Sequence, residues 1–149
     1  MTKFISDYMH QTLDEIKLIS PFPYWAVGAY SSYIKSQDLL PQEGRFKIFF
    51  IETVKLIENS NFGEVDMSSL FTLDDKNNRR ISRILDHWKN SEYLDPPKIH
   101  FDSFIKKINF EDGRHRAKLS FYLQFDKIPV AINVDDVKEM KKLFQLLDL

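Results

Sequence analysis

The sequence contains no cysteine among its 149 residues. Disulfides, thiolate metal sites and cysteine nucleophiles are therefore excluded, and nothing indicates an oxidising compartment. No segment approaches the roughly 18 consecutive apolar residues that span a bilayer. The first twenty residues carry Asp7, Asp14 and Glu15 and lack a continuous apolar run, so we expect no signal peptide. We expect a cytoplasmic protein without membrane association.

Glycine is also scarce, with only four in the chain, whereas Phe (13) and Tyr (6) are frequent. Hydrophobic residues make up 43% and charged residues 29% of the sequence, which is ordinary for a globular protein and argues against disorder. At this length the chain can build one core but not two. We therefore expect residues 1–149 to form a single domain.

The chain has almost no net charge, a formal −1 at pH 7, and so no general attraction to nucleic acid or anionic membranes. Locally the balance differs, because residues 76–127 contain twelve Lys and Arg against seven Asp and Glu. A basic zone on a nearly neutral protein suits a local phosphate site better than wrapping along a duplex, which recruits many cationic contacts.

Apolar residues in the first half recur mostly at helical spacing. Steps of three and four residues from Ile5 to Ile19 predict an amphipathic helix that Pro21 would end. A second, shorter helix is expected at residues 26–34. Residues 46–58 are apolar on more than one face, which predicts a buried helix. A strand at residues 46–51 is the main alternative, since this stretch is rich in β-branched and aromatic residues.

After residue 68 the pattern alternates between short strands and helices. A strand is expected at residues 69–73, followed by a helix that Asp74 or Asp75 caps. The remaining predicted elements, in chain order, are strands at residues 98–102 and 105–110, a helix at 116–125, a strand at 128–132 and a helix at 137–147 capped by Asp135 or Asp136. The predicted fold class is α+β, with a helical region before the sheet.

The segment Asp112-Gly113-Arg114-His115-Arg116 lies where a predicted strand gives way to a helix. The first N–H groups of a helix lack partners within it, and the helix dipole adds partial positive charge at the same end. Gly113 lets the backbone approach a ligand, and Arg114 and Arg116 can each hold phosphate oxygens in a bidentate fork. His115 can donate a hydrogen bond or move a proton near neutral pH. The turn predicts a phosphate site.

This turn, the helix after it and the stretch Lys127-Ile128-Pro129-Val130 together resemble the ParB/sulfiredoxin superfamily. In ParB N-terminal-like domains the similar segment is a Gly-Glu-Arg-Arg turn, a short helix and a Val-Pro-Val strand, and the sulfiredoxin version of the turn is Gly-Cys-His-Arg. The resemblance covers residues 69–134. It implies a small mixed-sheet domain at residues 69–149, preceded by a helical part at residues 1–60.

The resemblance also implies what the turn would bind: a nucleotide phosphate or a nucleic-acid backbone, with nuclease or NTPase activity in some relatives. Arg114 stands where sulfiredoxins place their catalytic cysteine and ParB its glutamate, so sulfiredoxin chemistry is excluded. Gln124 stands where a glycine usually ends the helix. No helix-turn-helix region follows the motif.

The leading hypothesis is a domain that recognises the phosphate of a nucleotide or nucleic acid through Gly113, Arg114, His115 and Arg116. If it is an enzyme, hydrolysis of a nucleotide or DNA phosphate is the natural class, with His115 as acid or base. Asp112 would then hold Mg²⁺ together with the nucleotide. Dedicated metal binding is not expected, because the other histidines lack metal-site spacing and the adjacent carboxylates Glu111 and Asp112 would point to opposite faces of a strand.

Arg80 and Arg83 form a secondary basic face on the predicted helix after residue 75, and the resemblance would bring them near the turn. The alternative function is a non-enzymatic interaction protein, such as a conjugation or fertility inhibitor, an immunity protein or an antitoxin. A large exposed aromatic patch around Tyr24 and Trp25 would favour it, although core packing is the expected role of this run. A DNA-binding accessory factor, such as a plasmid protein, is a third possibility.

Overall fold

The computed structural model describes residues 3–19 and 22–149, and within these the chain is a mixed α+β protein, as predicted. Six strands form one mixed sheet in the order β2-β4-β3-β5-β1-β6. The strands are β1 (Phe46–Glu52), β2 (Ser60–Asn61), β3 (Lys98–Asp102), β4 (Lys107–Asp112), β5 (Lys127–Asn133) and β6 (Leu147–Asp148). The α-helices are α1 (Leu13–Ile19), α2 (Thr53–Glu58), α3 (Asp75–Lys89), α4 (Arg114–Tyr122) and α5 (Val137–Leu143).

Strand pairing combines both directions. β1 pairs antiparallel with β5 and β6, and β3 pairs antiparallel with β4 and parallel with β5. The two residues of β2 extend the sheet beside β4 in parallel. Alternate residues of β1 enter the core, so that Phe49 and Ile51 lie opposite Val130 and Ile128 of β5. Helix α4 packs on this side of the sheet against α2 and α3.

The predicted helical character of residues 1–60 is wrong in extent. The stripe from Ile5 to Ile19 is divided between a 3-10 turn at Asp7–His10 and helix α1, and Pro21, predicted to end it, lies outside the described residues. Residues 26–34 contain a 3-10 segment, Gly28–Tyr33, instead of an α-helix.

The buried helix predicted at residues 46–58 is also wrong over its first half, where the alternative is right: β1 is a strand, and only α2 is helical. Pairing of β1 with two other strands decides this, and such pairing involves residues distant in the sequence. The first part of the chain therefore supplies a central strand of the sheet. One hydrophobic cluster joins Tyr8, Ile16 and Trp25 to Ile99 and Val130.

In the second half most predicted elements are present with shifted ends. Residues 69–73 are not a strand, and β4 begins two residues later than expected. Asp74 is the N-cap of α3, and its side chain accepts a hydrogen bond from the Lys76 N–H at 3.0 Å. Helix α5 ends at Leu143, so the predicted helix to residue 147 is too long and its last residues enter β6 instead.

The cap predicted for the last helix differs in detail. Asp136 precedes α5, but its carboxylate accepts a hydrogen bond from the Phe101 N–H of β3 at 3.1 Å and does not cap the helix. Asp135 lies in a 3-10 turn whose N-cap is Asn133. The carboxylate of Asp136 therefore ties the start of α5 to the sheet.

Candidate functional site

Helix α4 begins immediately after Gly113, two residues earlier than predicted, so Arg114, His115 and Arg116 form its first turn. Gly113 is the N-cap and has a φ of 97°, a left-handed conformation that favours glycine. A Cβ at this position would lie 2.7 Å from both the Cα and the Cβ of Pro97. Because glycine has no side chain to cap the helix, it leaves the N–H groups of the first turn available to a ligand.

A cavity of about 300 Å³ opens at this helix start. It brings together every site residue predicted from the sequence, including the pair from helix α3 that only the resemblance placed near the turn. Its lining residues are Arg80, Arg83, Ile84, Phe110, Glu111, Asp112, Gly113, Arg114, His115 and Arg116. Four arginines stand against two carboxylates in this lining, so the cavity carries an excess of positive charge.

The two arginines of the turn are already held by protein atoms. The Arg114 Nη1 donates a hydrogen bond to the main-chain oxygen of Phe62 at 3.0 Å. The Arg116 Nη2 donates to the Asp112 Oδ2 at 3.2 Å, and the buried Arg116 Nε has no hydrogen-bond partner within the described residues. These contacts orient both guanidinium groups, and each retains further N–H donors for a ligand.

Arg80 and Arg83 are different, because both are exposed and neither forms an ion pair with a carboxylate in the described part of the chain. They lie three residues apart on α3 and therefore share one face of that helix. Two cationic side chains at the cavity wall are thus not committed to any protein anion. They are the groups best placed to meet an incoming negative charge.

His115 is buried, and its imidazole makes no hydrogen bond to any described residue. Burial lowers the pKa of His115 to about 4, and the positive charges of Arg80, Lys118 and Arg114 act in the same direction. At neutral pH the ring is therefore uncharged. An uncharged imidazole can form a hydrogen bond with a ligand or accept a proton, and there is no imidazolium to act as an acid.

Lys118 is a further charged group near the site, and sequence reasoning missed it. It follows His115 by three residues on α4 and is fully buried, at 0% exposure. The Lys118 Nζ donates a hydrogen bond to the Asn77 Oδ1 at 2.8 Å, and burial lowers its pKa to about 8. No sequence signal distinguishes it, because lysine is ordinarily exposed. The positive charge of Lys118 acts on His115, which lines the cavity.

The resemblance expects a glycine two residues after the last residue of helix α4. Gln124 occupies that position with a φ of 62°, and the N–H of Phe125 donates to the oxygen of Ser120 at 3.0 Å. The Gln124 N–H donates to the oxygen of Phe121, also at 3.0 Å, which completes a Schellman motif. The substitution of glutamine for glycine thus preserves the left-handed helix end, away from the cavity.

Metal ligands are not grouped in the described part of the chain. No set of three or more His, Asp or Glu side chains there could hold a metal ion. Glu111 and Asp112 both line the cavity, but the carboxylate of Asp112 is paired with Arg116. Mg²⁺ bound together with a nucleotide therefore stays a prediction, as do the roles of His115 and Asp112 in catalysis.

The aromatic run at residues 22–25 is divided between core and surface. Trp25 is buried and packs edge-on against Trp88, with ring centroids 5.3 Å apart, as expected for core packing. Phe22 is 66% exposed, while Tyr24 is half-buried at the edge of a cluster of tyrosines. The large exposed patch around Tyr24 and Trp25 that would favour an interaction protein is therefore not found at Trp25.

The chain matches no protein-family model, and neither a curated protein nor a solved structure matches it. The resemblance to the ParB/sulfiredoxin superfamily thus stays a prediction. Among the described residues, no helix combines the length and the apolar character needed to cross a membrane.

Proposed function

We propose that this protein binds the phosphate group of a nucleotide or nucleic acid in the cavity at the start of helix α4. The observation that carries the proposal is the convergence of an uncapped helix N-terminus with the two unpaired arginines of α3. Free main-chain N–H groups, the helix dipole and arginine side chains are the features that bind phosphate in many proteins.

The residues of the cavity would contribute to phosphate binding in different ways. The N–H groups of residues 114–116 and the guanidinium groups of Arg80 and Arg83 would donate to phosphate oxygens. Arg114 and Arg116 fix the turn through Phe62 and Asp112, and their remaining donors would add to the site. The neutral ring of His115 would donate one hydrogen bond. Because Arg80 and Arg83 are exposed, affinity would fall as the salt concentration rises.

The geometry of the cavity supports binding more directly than turnover, and a ParB-like protein of the cytoplasm stays a prediction. A nuclease or NTPase would in addition need a group that activates water. The neutral His115 could accept a proton from water, and Mg²⁺ could reach Asp112 only in competition with Arg116. Tests of binding should therefore follow turnover on the same samples.

The rival proposal is a non-enzymatic interaction protein, and one observation favours it: several tyrosines of the described residues form an exposed cluster near the 3-10 segment Gly28–Tyr33. Exposed aromatic surface commonly marks a docking site. A DNA-binding accessory protein remains the third proposal. The local excess of positive charge supports it, and the formal net charge of −1 counts against it.

Calorimetric titration of CTP, ATP and single-stranded DNA, with Mg²⁺ present, tests the leading proposal. Arg83→Gln and Arg80→Gln remove the unpaired cations without breaking a protein ion pair. Each should weaken binding by about tenfold or more, as expected for one charge-assisted contact. Arg114→Ala and Arg116→Ala would be harder to interpret, because they also remove the hydrogen bonds of Arg114 to Phe62 and of Arg116 to Asp112.

The matched control is Arg79→Gln, which removes the same charge from the same helix outside the cavity. The Arg79 guanidinium lies 4.5 Å from the centre of the Phe4 ring and does not line the cavity. Native protein that binds none of the three ligands would refute the proposal. Equal losses in Arg79→Gln and Arg83→Gln would also contradict it, since they would indicate attraction to overall charge. Release of phosphate or cleavage of DNA on the same samples would add an enzymatic function.

A further inference from the structure

Three tyrosine rings are stacked on the surface. The ring of Tyr93 is parallel to those of Tyr30 and Tyr33, with centroids 4.6 and 4.7 Å apart and interplanar angles of 20° and 14°. One face of a ring accommodates one stacked ring at such a distance, so Tyr30 and Tyr33 lie on opposite faces of Tyr93. Tyr30 is 49% and Tyr33 55% exposed, so both side chains have surface accessible to solvent beyond the face that each turns to Tyr93.

Only a few residues of the chain separate the stack from a residue that contacts the helix start at the cavity. Tyr93 is four residues before Pro97, whose Cα is 2.7 Å from the position of a Cβ on Gly113. Even a fully extended chain spans at most about 3.6 Å per residue, so the Cα atoms of Tyr93 and Pro97 are at most about 14 Å apart.

One face of helix α3, which carries Arg83 and His87, runs from the cavity toward the tyrosine stack. Arg83 lines the cavity, and His87 follows it by four residues, so both lie on one face of the helix. The His87 Nδ1 lies 3.5 Å from the Oε1 of Glu92, the residue that directly precedes Tyr93. A nucleic-acid strand that leaves the cavity along this face of α3 would therefore pass Arg83 and the imidazole of His87 before it reaches the tyrosines.

We propose that the ligand of the cavity is single-stranded nucleic acid, with a backbone phosphate at the start of α4 and a nearby base stacked on the outward face of Tyr30 or Tyr33. This inference rests on the proposed phosphate site. Aromatic faces beside a cationic groove are the combination that binds single strands, because every base has a π-face that an aromatic ring can cover. In a duplex the bases already stack on each other and would not reach the tyrosines.

Two carboxylates lie beside the stack, and each is oriented by a contact within the protein. Glu92 lies against His87, and the carboxylate of Asp95 accepts hydrogen bonds from the N–H groups of Lys35 and Ser36, both at 2.9 Å. A protein ligand could also use the tyrosines. The neighbouring excess of arginine favours nucleic acid over a protein ligand. A proline-rich peptide is included as a competing probe, so that the protein alternative is tested as well.

The test compares thymidine 5′-monophosphate with a thymidine tetranucleotide by calorimetry. An oligonucleotide carrying 2-aminopurine, whose fluorescence is quenched on stacking, serves as a second readout. Tyr30→Leu/Tyr33→Leu removes both outward faces, and Tyr30→Trp/Tyr33→Trp retains them. Phe104→Leu is the matched control, because Phe104 is 97% exposed in the turn between β3 and β4, outside the stack.

We expect the tetranucleotide to bind native protein about tenfold or more tightly than the monophosphate. The leucine variant should lose about 5- to 150-fold of tetranucleotide affinity together with the 2-aminopurine quenching, while its affinity for the monophosphate stays unchanged. The tryptophan variant should retain tetranucleotide binding, and Phe104→Leu should behave as native protein.

The ways of failing are distinguishable. If monophosphate and tetranucleotide bind equally and the leucine variant loses nothing, the inference is wrong while the phosphate site stands. If neither ligand binds, the phosphate site itself is wrong. A proline-rich peptide that binds native protein and not the leucine variant, with no tetranucleotide binding, would assign the tyrosines to a protein partner and overturn the inference.

Discussion

Replacement of Gly113 by alanine should destabilise the protein and weaken the phosphate site together. The new Cβ would meet the Cα and Cβ of Pro97 at 2.7 Å and the Arg116 Nη2 at 2.9 Å, and the residue would have to keep a φ of 97°. The left-handed conformation costs an L-residue about 1–2 kcal/mol, and overpacking costs about 1–3 kcal/mol. We therefore expect the free energy of unfolding to fall by about 2–5 kcal/mol, since main-chain atoms of Pro97 cannot move aside as a side-chain end can.

Gly44→Ala isolates the conformational part of that cost. Gly44 has a φ of 63°, and a Cβ there would meet nothing within 4 Å. Urea denaturation should show a loss of about 1–2 kcal/mol for Gly44→Ala with unchanged phosphate affinity, and a larger loss with weaker binding for Gly113→Ala. The argument from close approach would be refuted if the two alanine variants were equally stable and bound phosphate equally well.

Three further predictions concern the groups around His115. The pKa of His115 is lowered to about 4 from an ordinary 6.5. Its contribution to stability is therefore complete above about pH 6.5 and is lost as the pH falls toward 4, by at most about 3 kcal/mol. Urea titrations at a series of pH values should show this loss, and His115→Gln should abolish it. Lys118→Met should raise the pKa of His115 while leaving it below 6.5, because burial is the larger cause, and an NMR titration of the imidazole would contradict us if the pKa stayed the same or fell. Asp74→Ala should cost about 1 kcal/mol of stability through loss of the hydrogen bond to the Lys76 N–H, and a thermal midpoint equal to that of native protein would speak against this cap.

Local chemistry explains which parts of the fold could be predicted. Asp74 caps α3 and Gly113 precedes α4 because capping and left-handed turns depend on neighbouring residues alone. The apolar residues of β1 occupy more than one face, which predicts a helix, and pairing with β5, far along the chain, makes this segment a strand. The predicted helix to residue 147 failed similarly, since Leu147 pairs with Phe50 of β1.

The candidate site was predictable in composition and not in detail. Spacing placed Gly113 and the turn arginines at a helix start, and the resemblance placed Arg80 and Arg83 beside them, as the cavity lining now shows. The burial of Lys118 depends on the packing of α4 against α3, and a sequence pattern does not encode it. The engagement of Arg114 by a main-chain oxygen likewise depends on a loop more than fifty residues away.

Titration of ¹⁵N-labelled protein with pyrophosphate, followed by amide NMR, tests the phosphate site most directly. The account predicts saturable shifts confined to the N–H groups of residues 113–117 and the side chains of Arg80 and Arg83, which Arg83→Gln weakens and Arg79→Gln leaves unchanged. Amide signals of α4 that do not move, or shifts scattered over exposed lysines without saturation, would contradict a phosphate site at Gly113.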